Sequence, residues 1–141
     1  RGVFSGAAIQ LKSGEILKGT NSPLMHASSA LVVNAIKHLA EFPHKLHLLS
    51  PNILESIKDL KQDLGGASKA SLNLEETLIA LSVSGLTNPS AKLALEKLKE
   101  LKGCEVHLTH LPTPGDEAGL RRLGVHLTSD PVFAGENLFM K

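Results

Sequence analysis

Two short apolar-rich stretches open the chain, Ala7-Ala8-Ile9-Gln10-Leu11 and Glu15-Ile16-Leu17-Lys18, and read as strands joined by a tight turn at Lys12-Ser13-Gly14. Asn21-Ser22-Pro23 closes this hairpin. Leu31, Val32, Ala35, Ile36 and Leu39 then recur at helical spacing behind a Ser28 or Ser29 cap, up to Pro43. The run Lys45 to Ser50 is too short for a helix and predicts a buried strand. Ser50-Pro51 starts a second helix, whose stripe is Ile53, Ile57, Leu60 and Leu64, ended by Gly65-Gly66. The stretch from there to Ser71 reads as unstructured. Asn73 and Glu76 have capping-box spacing before a helix with Leu74, Leu78 and Leu81. Asn88-Pro89 opens another, with Leu93, Leu98 and Leu101 turned inward and Gly103 at its stop. Glu105 to His110 reads as a strand, Pro114 to Arg122 as a helix stopped by Gly124, and Val125 to Thr128 as the last strand. Helices between strands force crossovers, so most of the sheet is expected to be parallel and covered on both faces, with the opening hairpin antiparallel. The expected fold is a three-layer α/β/α domain with a mixed sheet.

Length sets one domain over 1–141, because 141 residues can bury a self-sufficient core but leave no room for two domains of ordinary size. The 42% apolar and 21% charged composition excludes a disordered polymer. With 15 basic against 14 acidic residues, no dedicated nucleic-acid or anionic-membrane surface is expected. Aromatic residues at 3% leave little for base stacking, and a single cysteine excludes an internal disulfide and a Cys-rich zinc site. No run is long enough to span a membrane, and the reading is a cytoplasmic protein. The chain opens on Arg1 rather than Met, which reads as a processed or excised piece of something longer.

The order strand–strand–helix–strand–helix is that of the cytidine-deaminase-like fold, which keeps zinc ligands at the starts of its first two helices. His26 keeps that position here by spacing, but Ser28 stands where the glutamate would be, and Asn52 and Glu55 where the thiolates would be. A hydroxyl cannot shuttle that proton, and an Asn–Glu pair is no soft zinc site, so hydrolytic deamination is excluded and neither metal nor cofactor is expected. A zinc-free pocket could still use Ser22, His26, Ser28, Ser29 and Asn52 around helix starts that offer free N–H groups. The plainer alternative is that these hydroxyl residues are only caps. His110, at a strand's carboxyl end before Leu111-Pro112, joins the candidates because α/β sheets bind ligands there.

Other candidate motifs fail on geometry. Cys104, His107 and His110 cannot chelate from one strand, where Cys104 and His110 would stand roughly 20 Å apart at about 3.3 Å per residue. Gly65-Gly66-Ala67-Ser68-Lys69 lacks the spacing of a phosphate loop. Gly115-Asp116-Glu117-Ala118-Gly119 reads as acidic residues complementing a helix dipole. Lys97, Lys99 and Lys102 alternate with Glu96 and Glu100 as a solvated face.

Four segments together resemble the C-terminal part of the bacterial domain of unknown function 1846 family: Thr20 to Ala30, Leu48-Leu49-Ser50-Pro51, Gly103 to Thr109, and Leu123-Gly124-Val125. The resemblance implies a protein several times longer and supplies no mechanism. Some members carry the label of ATP-dependent peptidase, for which this segment has neither nucleotide loop nor protease constellation. The leading expectation is therefore a non-catalytic or accessory domain, packing against an upstream domain of the same protein or a second copy and contributing one wall of a ligand site. The alternative is a small-molecule enzyme module for a nucleoside- or nucleotide-like substrate, with its pocket around His26 and Ser28.

Overall fold

The opening hairpin turns at Gly14, whose φ of +95° costs glycine nothing. In the computed structural model, which describes residues 5–65 and 71–133, its arms are β1 (Gly6–Gln10) and β2 (Ile16–Thr20), with Ile9 opposite Leu17. β3 (Glu105–Leu108) pairs antiparallel with the other edge of β1, and β4 (His126–Ser129) pairs parallel with β3. The strand order is β2-β1-β3-β4. The fold is α/β and its sheet is mixed, as expected. The expectation of a mostly parallel sheet is corrected, since among the described residues β3–β4 is the one parallel pair. A connection holding several helices can return the chain in either direction, so the crossover before β3 does not dictate a parallel partner.

The helices are α1 (Ala27–Leu39), α2 (Pro51–Gly65), α3 (Leu74–Ser84), α4 (Pro89–Leu95) and α5 (Pro114–Leu123), with a 3-10 turn over Glu96–Leu101 after α4. Alternation along the strands shows which face they cover. Ala7, Ile9, Val106 and Leu108 are buried against Leu31, Ile36, Leu74 and Leu120. On the opposite face Gln10, Lys18, Glu105, His107 and His126 are exposed. Three layers are therefore corrected to two among the described residues, with one face of the sheet bare.

The strand expected at 45–50 does not form. Leu48 and Leu49 are buried as an apolar run should be, but side chains satisfy the neighbouring backbone. Asn88 Nδ2 donates to Leu48 O and Ser84 Oγ accepts from Ser50 N–H, so no ladder is needed. Without that strand the deaminase-like element order does not appear. Ile53 and Ile57 of α2 pack on the core, whereas Leu60 and Leu64 run into solvent. The unstructured stretch expected after α2 lies, at 66–70, outside the described residues. Leu93, expected inward, is 51% exposed, because α4 turns its small Ala91 and Ala94 to the core.

The caps mostly follow expectation. Asn73 Oδ1 accepts from Glu76 N–H and Glu76 Oε1 from Asn73 N–H, both at 2.9 Å, a complete capping box. Gly124 ends α5 with φ +82°. At α1 the cap position falls to His26 rather than to Ser28 or Ser29, and its side chain makes no capping bond.

Candidate functional site

The chain enters α1 and α3 side by side. Met25 and Leu72 form an isolated parallel bridge, in which His26 N–H donates to Leu72 O (2.8 Å) and Leu72 N–H to Leu24 O (2.9 Å). The start of α5 is pressed onto α3 by two glycines four apart. A Cβ on Gly115 would stand 2.4 Å from Asn73 Nδ2, and one on Gly119 2.8 Å from Leu74 Cδ2. Only hydrogen fits at either place. Asp116, between those glycines, is thereby carried to the first turn of α3. The N-termini of all three helices meet around it.

The Asp116 side chain is 1% exposed, and its two oxygens have separate partners. Oδ1 accepts from Leu74 N–H at 2.8 Å, one of the amides that an α-helix leaves unpaired at its start. Oδ2 lies 2.8 Å from His26 Nδ1. A carboxylate only accepts, so the proton in this second bond belongs to His26 Nδ1. In the neutral ring the other nitrogen, Nε2, then carries the lone pair. The His26 ring is 29% exposed, enough for a small molecule to reach it. A buried acid thus holds a partly open imidazole in one tautomer, the relation by which carboxylates orient a general base.

These groups border a cavity of about 210 Å³ lined by Ser5, Asn21, Ser22, His26, Ala27, Ser71, His110, Thr113 and Asp116. His110 is carried there by the end of β3. Thr109 clips beyond the ladder onto Gly6, its Oγ1 accepting from Gly6 N–H at 2.8 Å. His110 is 5% exposed and its Nδ1 has no hydrogen-bond partner. Burial pushes its imidazole below the ordinary histidine range; the nearby Asp116 carboxylate opposes that shift and His26 adds to it. One nitrogen of His110, Nδ1, is thus left without a partner.

Of the residues singled out from sequence, Ser22, His26 and His110 are brought to one cavity. Ser28 and Ser29 are buried in the first turn of α1 and do not line it; Ser29 Oγ donates to Leu72 O, and Ser28 Oγ has no partner. Asn52 lies exposed on α2, apart from the cavity. Asp116 is the residue that sequence reasoning passes over. Its acidic segment does sit at a helix start, but only Glu117 faces out, where it pairs with Arg121 at 2.7 Å. The missed signal is the glycine pair flanking Asp116, since glycine inside a helix marks close approach of another element. A larger concavity of about 590 Å³ between Leu111 and Phe133 holds no buried titratable group.

The sequence is similar to those of known proteins. Residues 3–139 match the family model described as "Domain of unknown function DUF1846, C-terminal". A UPF0371 protein of Clostridium tetani is 41% identical over 97% of this chain, and one of Clostridioides difficile is 45% identical over 94%. A UPF0371 protein of Corynebacterium aurimucosum is 49% identical over 91%. The chain spans about a quarter of the length of these relatives, 26–27% of each.

Proposed function

The chain belongs to the DUF1846 C-terminal family, a bacterial family of unknown function, and from that premise we propose that it carries a small-molecule site in which His26 moves a proton and Asp116 positions it. The carrying observation is the 2.8 Å contact of His26 Nδ1 with a carboxylate that is otherwise sealed from water. In this reading His26 Nε2 accepts a proton from a hydroxyl, amine or water of the bound molecule. The imidazolium that forms is stabilised by Asp116, and such proton transfer contributes about 10²–10⁴-fold to a rate. Asp116 is a positioning residue, because its oxygens are spent on Leu74 and His26. The cavity volume suits a compact molecule, or one end of a larger one such as a nucleotide.

A second observation favours an assembly role beside this one. Ile79, Val83 and Leu86 form an apolar stripe on and just beyond α3 that is 43–82% exposed, and one sheet face is bare. In a longer polypeptide these surfaces would pack against the remainder. Among the described residues no helix is long and apolar enough to cross a membrane.

A thermal-shift panel of nucleosides, nucleotides, folates, simple phosphates and small carboxylic acids tests the site. A ligand at about 100 times its Kd adds roughly 2.7 kcal/mol, or several degrees for a chain of this size. The expected result is at least one such shift, lost in His26→Ala. A flat panel, or a shift that persists in His26→Ala, would count against the site.

A further inference from the structure

We propose that the cavity receives the oxyanion end of its ligand, a phosphate or carboxylate, seated between the open N-terminus of α1 and His110. The inference rests on the reading of this cavity as a ligand site and adds the chemical class. The first observation is the start of α1. His26 occupies the cap position without a capping bond, the first turn has no acidic residue, and no described residue accepts from the amides of Ala27, Ser28 or Ser29, of which Ala27 lines the cavity. By contrast α3 and α5 are capped by Asn73 and Thr113 and carry acids in their first turns. A helix of 13 residues with open N–H groups presents about half a positive charge there. The second observation is independent of the helix. His110 lines the same cavity, is nine-tenths buried, and holds Nδ1 without a partner, although a buried polar atom is costly to leave unpaired. With Nδ1 protonated it donates to an anion.

Asp116 is the opposing charge at the site, and it is already met. Leu74 N–H, the N-termini of α3 and α5, and His26 face it. A cation finds no acid free to hold it, since both Asp116 oxygens are engaged. An anion finds unpaired donors.

The test is an amide-shift titration of the ¹⁵N-labelled protein with inorganic phosphate and, separately, acetate, each at constant ionic strength against chloride. The expected result is saturable movement of the Ala27 amide, the one of the three whose residue lines the cavity, and the tighter of the two probes identifies the oxyanion. His110→Leu keeps the bulk and removes the donor, and should weaken binding about tenfold. Ser22→Asp supplies a control that does not touch the core. Its carboxylate can accept from Leu24 and Met25 N–H as the serine does, while placing a negative charge on the cavity wall, so it too should weaken binding. Shifts no different from chloride, or saturable binding unchanged in Ser22→Asp, would overturn the inference. A neutral nucleoside that binds in a His26-dependent way, without phosphate or acetate doing so, would sink the oxyanion alone and leave the acid–base site standing.

Discussion

Replacing Asp116 by alanine is expected to destabilise the fold by about 3 kcal/mol, a large share of a typical domain's stability. The carboxylate is sealed in the interior and holds two donors, Leu74 N–H at 2.8 Å and His26 Nδ1 at 2.8 Å. Hydrogen bonds to a charged group contribute about 1.5–3 kcal/mol, and a buried amide left unpaired costs about 1–3 kcal/mol more. Leu74 N–H is such an amide, because Leu74 is fully buried. For a chain of this size the melting temperature should fall by roughly 10 °C. Asp116→Asn should cost less, since an amide oxygen can still accept from Leu74 while its NH₂ group turns toward His26. Denaturant unfolding of both variants checks this. Alanine as stable as the parent would mean that the pair does not hold α1, α3 and α5 together.

Gly19→Ala should be as damaging, through backbone alone. A Cβ at Gly19 would lie 2.4 Å from Leu31 N, 2.7 Å from Leu31 Cα and 2.8 Å from Ala27 O. None of these is the end of a flexible side chain, so no rotamer change makes room. α1 would have to lift away from β2, and the N-terminus of α1 carries His26. Overpacking typically costs 1–3 kcal/mol, and a clash wholly with backbone belongs at the upper end, about 3 kcal/mol or more. Lys18→Ala, one residue away on the open face of the sheet, should stay within about 0.5 kcal/mol. The comparison is read by chemical denaturation at constant m-value. A loss below about 1 kcal/mol at Gly19 would show that α1 does not sit this close to the sheet.

What could be read from sequence was local. The Asn73–Glu76 box, the Asn88-Pro89 start, the Gly14 turn and the Gly124 stop are each set by residues within four positions of one another, and each appears in the structure. The failures involve partners far along the chain. The run at 45–50 has the composition of a strand, yet Asn88 and Ser84 supply its hydrogen bonds from some 40 and 34 residues away. The bare face of the sheet is legible in β3, where Glu105 and His107 alternate with Val106 and Leu108. That alternation is itself the mark of a one-sided sheet, outweighed by the count of helices. His26 stands out in the sequence through its place at the first helix start, where a deaminase-like fold keeps a zinc ligand, a likeness that the structure does not bear out. It reaches a chemically useful place through Asp116, 90 residues away. No periodicity encodes that pair; only Gly115 and Gly119, with no room for a side chain, point to it.

The most direct test of the His26–Asp116 site is the tautomer of the His26 ring, read from two-bond ¹H–¹⁵N correlations at neutral pH. The expected result is a proton fixed on Nδ1, with Nε2 unprotonated, and loss of that preference in Asp116→Asn. A ring protonated on Nε2, or exchanging between both tautomers in the parent protein, would contradict it, because His26 would then have no basic nitrogen directed away from Asp116 and no reason to be held where it is.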